Sequence, residues 1–202
     1  MSAHSKNIMV KTAQRYVDAG TFSGIEWQVQ HRGVLCYTGS VGRAGCDSSA
    51  PIPDQAIYRI YSMTKPVTVV GVLMLYEEGK FLLTDPVALY LPEFTDMQVY
   101  VGEDNEEGRV ETRPAERPIT IEDLLTHTAG LSYDDDTVAG VPKLYAQADL
   151  WSADSLSNFT EKVAALPLAF EPGSHWHYSV ANDVLGRLIE VVAAQPFDVF
   201  LE

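Results

Sequence analysis

The chain has 202 residues, enough for one substantial core or two small lobes, and its 46% hydrophobic and 21% charged content excludes a disordered or fibrous protein. A net charge of −14, from 28 acidic and 14 basic residues, sets it against phosphate backbones and anionic bilayers, so neither nucleic acid nor membrane is an expected partner.

In chain order, residues 7–19 place Ile8, Met9, Ala13, Tyr16 and Val17 at helical spacing, with Gly20 as the stop. The opening MSAHSKNIMVKTAQRY has no apolar core of the secretory kind, so a cytoplasmic protein is expected. Ile25, Trp27 and Val29 alternate with polar neighbours, His31-Arg32-Gly33 reads as a turn, and Val34–Thr38 resumes the extended pattern, which predicts a hairpin. Cys36 and Cys46 fit no disulfide framework or zinc set and read as small buried hydrophobes. Pro51 and Pro53 punctuate a loop before a short extended run, Ile57–Tyr61.

From Ser62 the pattern changes. Residues 63–78 are apolar on nearly every side, with Gly79 as the cap, which predicts a helix in the middle of a core. The longest apolar run, Val69–Tyr76, is far short of the roughly 20 residues a membrane-spanning helix needs. Residues 102–118 are polar and without period, a surface loop or solvated hairpin. Thr120 with Asp123 resembles a capping box opening a short helix through His127, ended by Gly130. Leu156, Phe159, Val163 and Leu166 mark a helical face stopped by Pro167. Pro172-Gly173 turns into an extended His175–Tyr178, and Val184, Leu185, Leu188, Ile189 and Val192 form the stripe of a further helix. Residues 196–202 end in what reads as a helix.

Ser62 and Lys65 stand three residues apart at a helix start, a spacing that puts hydroxyl and amine on one face. Serine needs a neighbour to take its proton, and a lysine amine does so at neutral pH only when burial lowers its pKa from about 10.4. The backbone N–H of Ser62 at a helix start could meet a developing oxyanion. Chance alone places roughly 0.4 such pairs in a chain with 13 Ser and 6 Lys. A serine that merely caps a helix, beside a solvated lysine, is the competing reading of the spacing.

More of the chain points the same way. Tyr58-Arg59-Ile60-Tyr61 before Ser62-Met63-Thr64-Lys65, then Leu124-Leu125-Thr126-His127-Thr128-Ala129-Gly130-Leu131, then Glu171-Pro172-Gly173 and Trp176-His177-Tyr178-Ser179, together resemble the beta-lactamase-related serine hydrolases. That family includes class C beta-lactamases, D-alanyl-D-alanine peptidases and family VIII carboxylesterases. The resemblance implies a mixed α/β (α+β) fold of the penicillin-recognising type. Residues 1–61 would form an N-terminal helix with antiparallel strands, and residues 62–202 the nucleophile helix with a mostly helical lobe. It implies an acyl-Ser62 intermediate, with Tyr178, from the family's Tyr-x-Asn motif, and Lys65 as the coupled base.

Two departures matter. The family's asparagine position is Val180 here, which favours small carboxylic esters over beta-lactams or peptides; Asn182, two residues on, is not presumed a replacement. The family's third motif, on a closing C-terminal strand that supplies a second oxyanion donor, has no counterpart after Tyr178. The fold is therefore expected to lack its C-terminal strands, and these 202 residues alone to be weakly active or inactive. Trp176 and Val180 are candidate substrate-pocket residues. His175, His177 and His127 could ligate a metal in principle, but no carboxylate or thiol completes a set, so neither metal nor cofactor is expected. Asp134-Asp135-Asp136 and the acidic residues in 103–107 read as solvated loops. The expected activity is ester hydrolysis on a small-molecule substrate. A beta-lactamase or D-alanyl-D-alanine peptidase, an acyltransferase, and a non-catalytic binding module are the alternatives.

Overall fold

The computed structural model describes residues 2–103, 110–133 and 140–202, with the backbone alone for Glu103 and Pro142. The acidic residues 104–107 and Asp134–Asp136 lie outside the described residues. The fold is mixed α/β, with seven helices and two antiparallel two-stranded sheets among the described residues. No helix among them is long and apolar enough to cross a membrane. The chain divides into two compact units, residues 1–59 and 60–202.

In the first unit, α1 (Ala3–Asp18) is capped by Ser2, whose hydroxyl accepts from the Ser5 N–H. Strands β1 (Gly24–His31) and β2 (Val34–Gly42) form the hairpin that the alternation predicts. Its two-residue turn, Arg32-Gly33, has positive φ at both positions, as the twist of a tight hairpin requires. Cys36 and Cys46 are exposed, contrary to the reading as buried hydrophobes. The physical reason for Cys36 is that a two-stranded ribbon leaves its outward positions in solvent; Ala13 is the one buried hydrophobic residue described in this unit. Residues 57–60 join no strand.

The second unit carries the main core. A turn at Tyr61–Met63 leads into α2 (Thr64–Glu77). Strands β3 (Gln98–Glu103) and β4 (Val110–Pro114) pair as a hairpin where the sequence pattern allowed one. There follow α3 (Ile121–Leu125), α4 (Val141–Gln147), α5 (Leu156–Ala164), α6 (Ala181–Ala193) and α7 (Phe197–Phe200). The stripe of α6 is the centre of the core: Val184, Leu185, Leu188 and Ile189 are wholly buried. Each is worth about 1.5–3 kcal/mol in transfer terms.

Helix α2 departs from expectation. It buries Thr68, Gly71, Val72 and Leu75, while Val67, Val70, Leu73 and Met74 are exposed. Among the described residues the helix packs on α6 along the side that carries these buried positions. Gly71 permits that approach, since a Cβ there would stand 2.9 Å from Phe200 and 3.2 Å from Ile189.

Helix α3 ends at Leu125, two residues short of the expected limit, because His127 turns the chain with φ 56°. Its start is the expected capping box, Thr120 with Asp123. Asp123 also takes a bidentate ion pair from Arg117 (2.7 and 2.9 Å) and the Thr128 hydroxyl (3.2 Å), tying the helix to the turn beyond it. Burial alone would raise the Asp123 pKa, but Arg117 and Thr120 outweigh it and hold the carboxyl below its ordinary 3.8.

Removing Arg117 strands a carboxylate whose side chain is 7% exposed. Arg117→Met is expected to cost about 2–3 kcal/mol at pH 7, below the range for fully buried pairs because Arg117 is itself part-solvated. A depressed carboxyl contributes stability above its unfolded pKa and loses it as pH falls through the folded one. The gap between variant and wild type therefore closes below pH 3.8. Urea unfolding at pH 7 and pH 3 measures both; an equal gap at the two values would refute the assignment.

Candidate active site

Ser62 sits in the turn that opens α2, just after Tyr61, whose φ of 44° is left-handed. The three-residue spacing does what helical geometry dictates: Lys65 Nζ donates to Ser62 Oγ at 3.4 Å. On the other side of the hydroxyl, Tyr178 Oη donates to Ser62 Oγ at 2.9 Å, across 116 residues of chain. Lys65 Nζ also lies 4.9 Å from the centre of the Tyr178 ring. The structure thus brings together the three residues singled out as catalytic.

Tyr178 precedes α6 and takes its position from backbone bonds. Residues 127–132 and 169–180 are joined by Gly173 N–H to Thr128 O (2.7 Å), Ala169 N–H to Gly130 O (2.7 Å), His177 N–H to His127 O (2.8 Å) and Val180 N–H to Ser132 O (3.3 Å). Gly130 allows this seam: its φ is 83°, and a Cβ would stand 2.4 Å from the Phe170 carbonyl oxygen. The expected extended stretch His175–Tyr178 joins no sheet and contributes one of these bonds, through His177.

Electrostatics follow the geometry. The Lys65 ammonium and the Ser62 hydroxyl beside it hold the Tyr178 phenol below its ordinary 10.0, against burial and the charge of Asp183. Burial pushes the Asp183 carboxyl up, against the pull of Lys65. His127 is held below the usual histidine value by burial and by the nearby charges of Lys65 and His177.

A cavity of about 380 Å³ opens beside these groups. Ser62, Lys65, Tyr133, Asn182 and Asp183 line its polar part, and Trp151, Leu156, Gly186 and Phe197 its apolar part. The two pocket candidates fare differently from the catalytic three. Val180 is wholly buried at the start of α6 and Trp176 is 67% exposed; neither lines the cavity. The helical turn at 180–183 accounts for this: it turns Val180 into the core and brings Asn182 and Asp183 to the cavity.

Tyr133, Trp151 and Asp183 were not anticipated. Tyr133 stacks on Tyr178 at 5.8 Å and faces Lys65 at 6.0 Å; its position just past the Leu124–Leu131 signature was the available hint. The candidate metal ligands are engaged otherwise: His177 with Ser132, His175 with Ser174, and His127 with Ser179 and Asn182. Among the described residues no group of three or more His, Cys, Asp or Glu could hold a metal ion.

A family model described as beta-lactamase matches residues 9–202. The chain belongs to the beta-lactamase family. Among its relatives are Protein Rv1367c of Mycobacterium tuberculosis, 36% identical over 89% of this chain and 44% of that protein, and Esterase EstB of Burkholderia gladioli, 32% identical over 83% of this chain and 40% of EstB. The solved structure of EstCE1, described as a hydrolase with promiscuous acyltransferase activity, superposes with a TM-score of 0.75 at 28% identity, over 94% of this chain and 47% of EstCE1. The chain therefore spans less than half the length of these beta-lactamase-fold relatives.

One prediction follows from the Lys65–Tyr178 contact in this site. Replacing Lys65 with Met removes the cation that favours the phenolate, so the Tyr178 titration moves up toward 10.0. Ultraviolet difference titration, with Tyr178→Phe as the reference, reads that movement; an unchanged midpoint would show that Lys65 does not set it.

Proposed function

We propose that this protein is a serine hydrolase of carboxylic esters working through an acyl-Ser62 intermediate. The observation that carries the reading is the convergence of two donors on one oxygen, Tyr178 Oη at 2.9 Å and Lys65 Nζ at 3.4 Å from Ser62 Oγ. A base must be within hydrogen-bond reach of the proton it takes, and this one is.

In the proposed sequence, Ser62 Oγ attacks the ester carbonyl carbon as its proton passes to the Tyr178–Lys65 unit. The two groups are coupled closely enough that the proton belongs to the pair rather than to either member. The tetrahedral oxyanion is met by the Ser62 backbone N–H, a role worth about 2.7–4 kcal/mol per donor. The leaving alcohol takes the proton back from the unit, which leaves acyl-Ser62. Water, deprotonated by the same unit, then releases the acid.

The names of the relatives favour ester chemistry at coarse resolution, since EstB is called an esterase and EstCE1 a hydrolase. They also support a second reading. EstCE1 is described as carrying acyl transfer beside hydrolysis, and an acyl-enzyme with a cavity beside it accepts an alcohol as readily in principle as water. The first half-reaction is the same in both.

Labelling with a fluorophosphonate probe and turnover of p-nitrophenyl butyrate test the reading together. Both should vanish in Ser62→Ala. Tyr178→Phe should lower kcat by about 10²–10⁴, the usual scale of general-base assistance, with little change in KM. Wild-type labelling that persists in Ser62→Ala would end the proposal. Adding a primary alcohol separates the two readings: transfer gives a new ester in competition with acid, whereas a strict hydrolase gives acid alone.

A further inference from the structure

The imidazole of His127 is joined to the segment that presents Tyr178. Nε2 accepts from Asn182 Nδ2 at 3.2 Å, which leaves Nδ1 as the protonated ring nitrogen, 3.3 Å from Ser179 Oγ. The ring stacks on Tyr178 at 5.1 Å and 28°, and meets Trp176 edge-on at 6.2 Å. The His127 carbonyl accepts from the His177 N–H at 2.8 Å. Residues 176, 177, 178, 179 and 182 are thus all gripped by one half-buried residue that touches neither Ser62 nor Lys65 through any hydrogen bond.

We propose that His127 is a positioning residue for Tyr178, a flat support that fixes the approach of the phenol to Ser62. The inference rests on the reading of Tyr178 as base. Tyr178 is 39% exposed, and an exposed tyrosine ring turns freely between its side-chain wells, which would carry Oη out of reach of Ser62. Here the ring has two stacked neighbours, His127 (5.1 Å, 28°) and Tyr133 (5.8 Å, 18°). His127 is fastened to the segment that carries Tyr178 at both ring nitrogens, through Ser179 and Asn182. Its backbone, at φ 56°, is costly for a residue with a Cβ, about 1 kcal/mol or more, and such strain persists where the surroundings over-determine it. Burial and the neighbouring Lys65 and His177 charges favour the neutral ring that this bonding pattern needs.

The experiment uses protein labelled with 13Cζ-tyrosine, with the Tyr178 resonance assigned by its loss in Tyr178→Phe. The charged and titratable groups facing Tyr178 are Lys65 from α2, Asp183 from α6, and Tyr133 and His127 beside its ring; the variants change His127 alone. His127→Asn tolerates a positive φ and loses the ring, while His127→Phe keeps a ring and loses both polar fastenings. Misplacement should weaken the contacts with Lys65 and Ser62, so the Tyr178 titration moves upward in both variants. The kcat for p-nitrophenyl butyrate should fall about 10–100-fold with KM within about twofold. A Tyr178 titration at the wild-type position in either variant that retains the wild-type near-ultraviolet circular dichroism overturns the proposal. The titration needs no turnover, so the role of His127 is decided by the resonance even where the wild type turns over no ester, whereas the esterase reading is decided separately by fluorophosphonate labelling at Ser62.

Discussion

The hydrogen bond between Tyr178 and Ser62 joins two pieces of chain 116 residues apart, and 2.9 Å leaves little room for error in either. Ser62 is fixed by α2, Tyr178 by the lead into α6, so the distance is inherited from the packing of those two helices. That packing is close because Gly71 lets Phe200 and Ile189 approach where a methyl group would collide. The second control is the seam between residues 127–132 and 169–180, made of backbone bonds that no side-chain change removes directly. Asp123, held by Arg117, Thr120 and Thr128, anchors the start of that seam from the other end.

Charge at the site is arranged around a single ammonium. Lys65 lies against the Tyr178 ring, with Tyr133 farther off, and an aromatic face favours a nearby cation. Asp183 shares the cavity, and its burial works against its ionisation while Lys65 works for it. The same ammonium disfavours protonation of His127 and favours ionisation of Tyr178. A substitution at Lys65 therefore alters three other titrations at once, and additive treatment of variants within this group would mislead.

What could be read in advance divides by range along the chain. The Ser62–Lys65 pair was legible because its spacing is a property of one helical turn, and the Thr120–Asp123 box for the same reason. The stripes of α5 and α6 were legible because amphipathic period survives without knowledge of the partner. Tyr178 came from the ordered motifs of a resemblance and not from any local pattern. Tyr133 and Asp183 were missed because their place depends on the seam and on the phase of the first turn of α6, neither of which leaves a periodic trace. Val180 is a pocket candidate because it stands at the family's asparagine position; the helical turn that begins there sends it inward. Helix α2 misled through composition, since apolar residues on every side say nothing about which sides the described residues cover.

Backbone strain separates the parts of this fold made for stability from the part made for the site. Five described residues other than glycine have positive φ: Arg32, Tyr61, His127, Asp149 and Ala194. Three have ordinary structural reasons. Arg32 lies in a tight hairpin turn, Ala194 ends α6 in a left-handed cap, and Asp149 is of a type that tolerates the region. Tyr61 and His127 carry large rings; histidine, like aspartate, is found in this region more often than most types, but glycine would adopt the same backbone more cheaply at either position. Tyr61 adjoins Ser62 and lines the cavity; His127 supports the ring of Tyr178. A fold selected for stability alone would have relieved both. That the two bulky strained residues flank the two ends of the Tyr178–Ser62 hydrogen bond argues that the strain is retained for the side chains these positions carry.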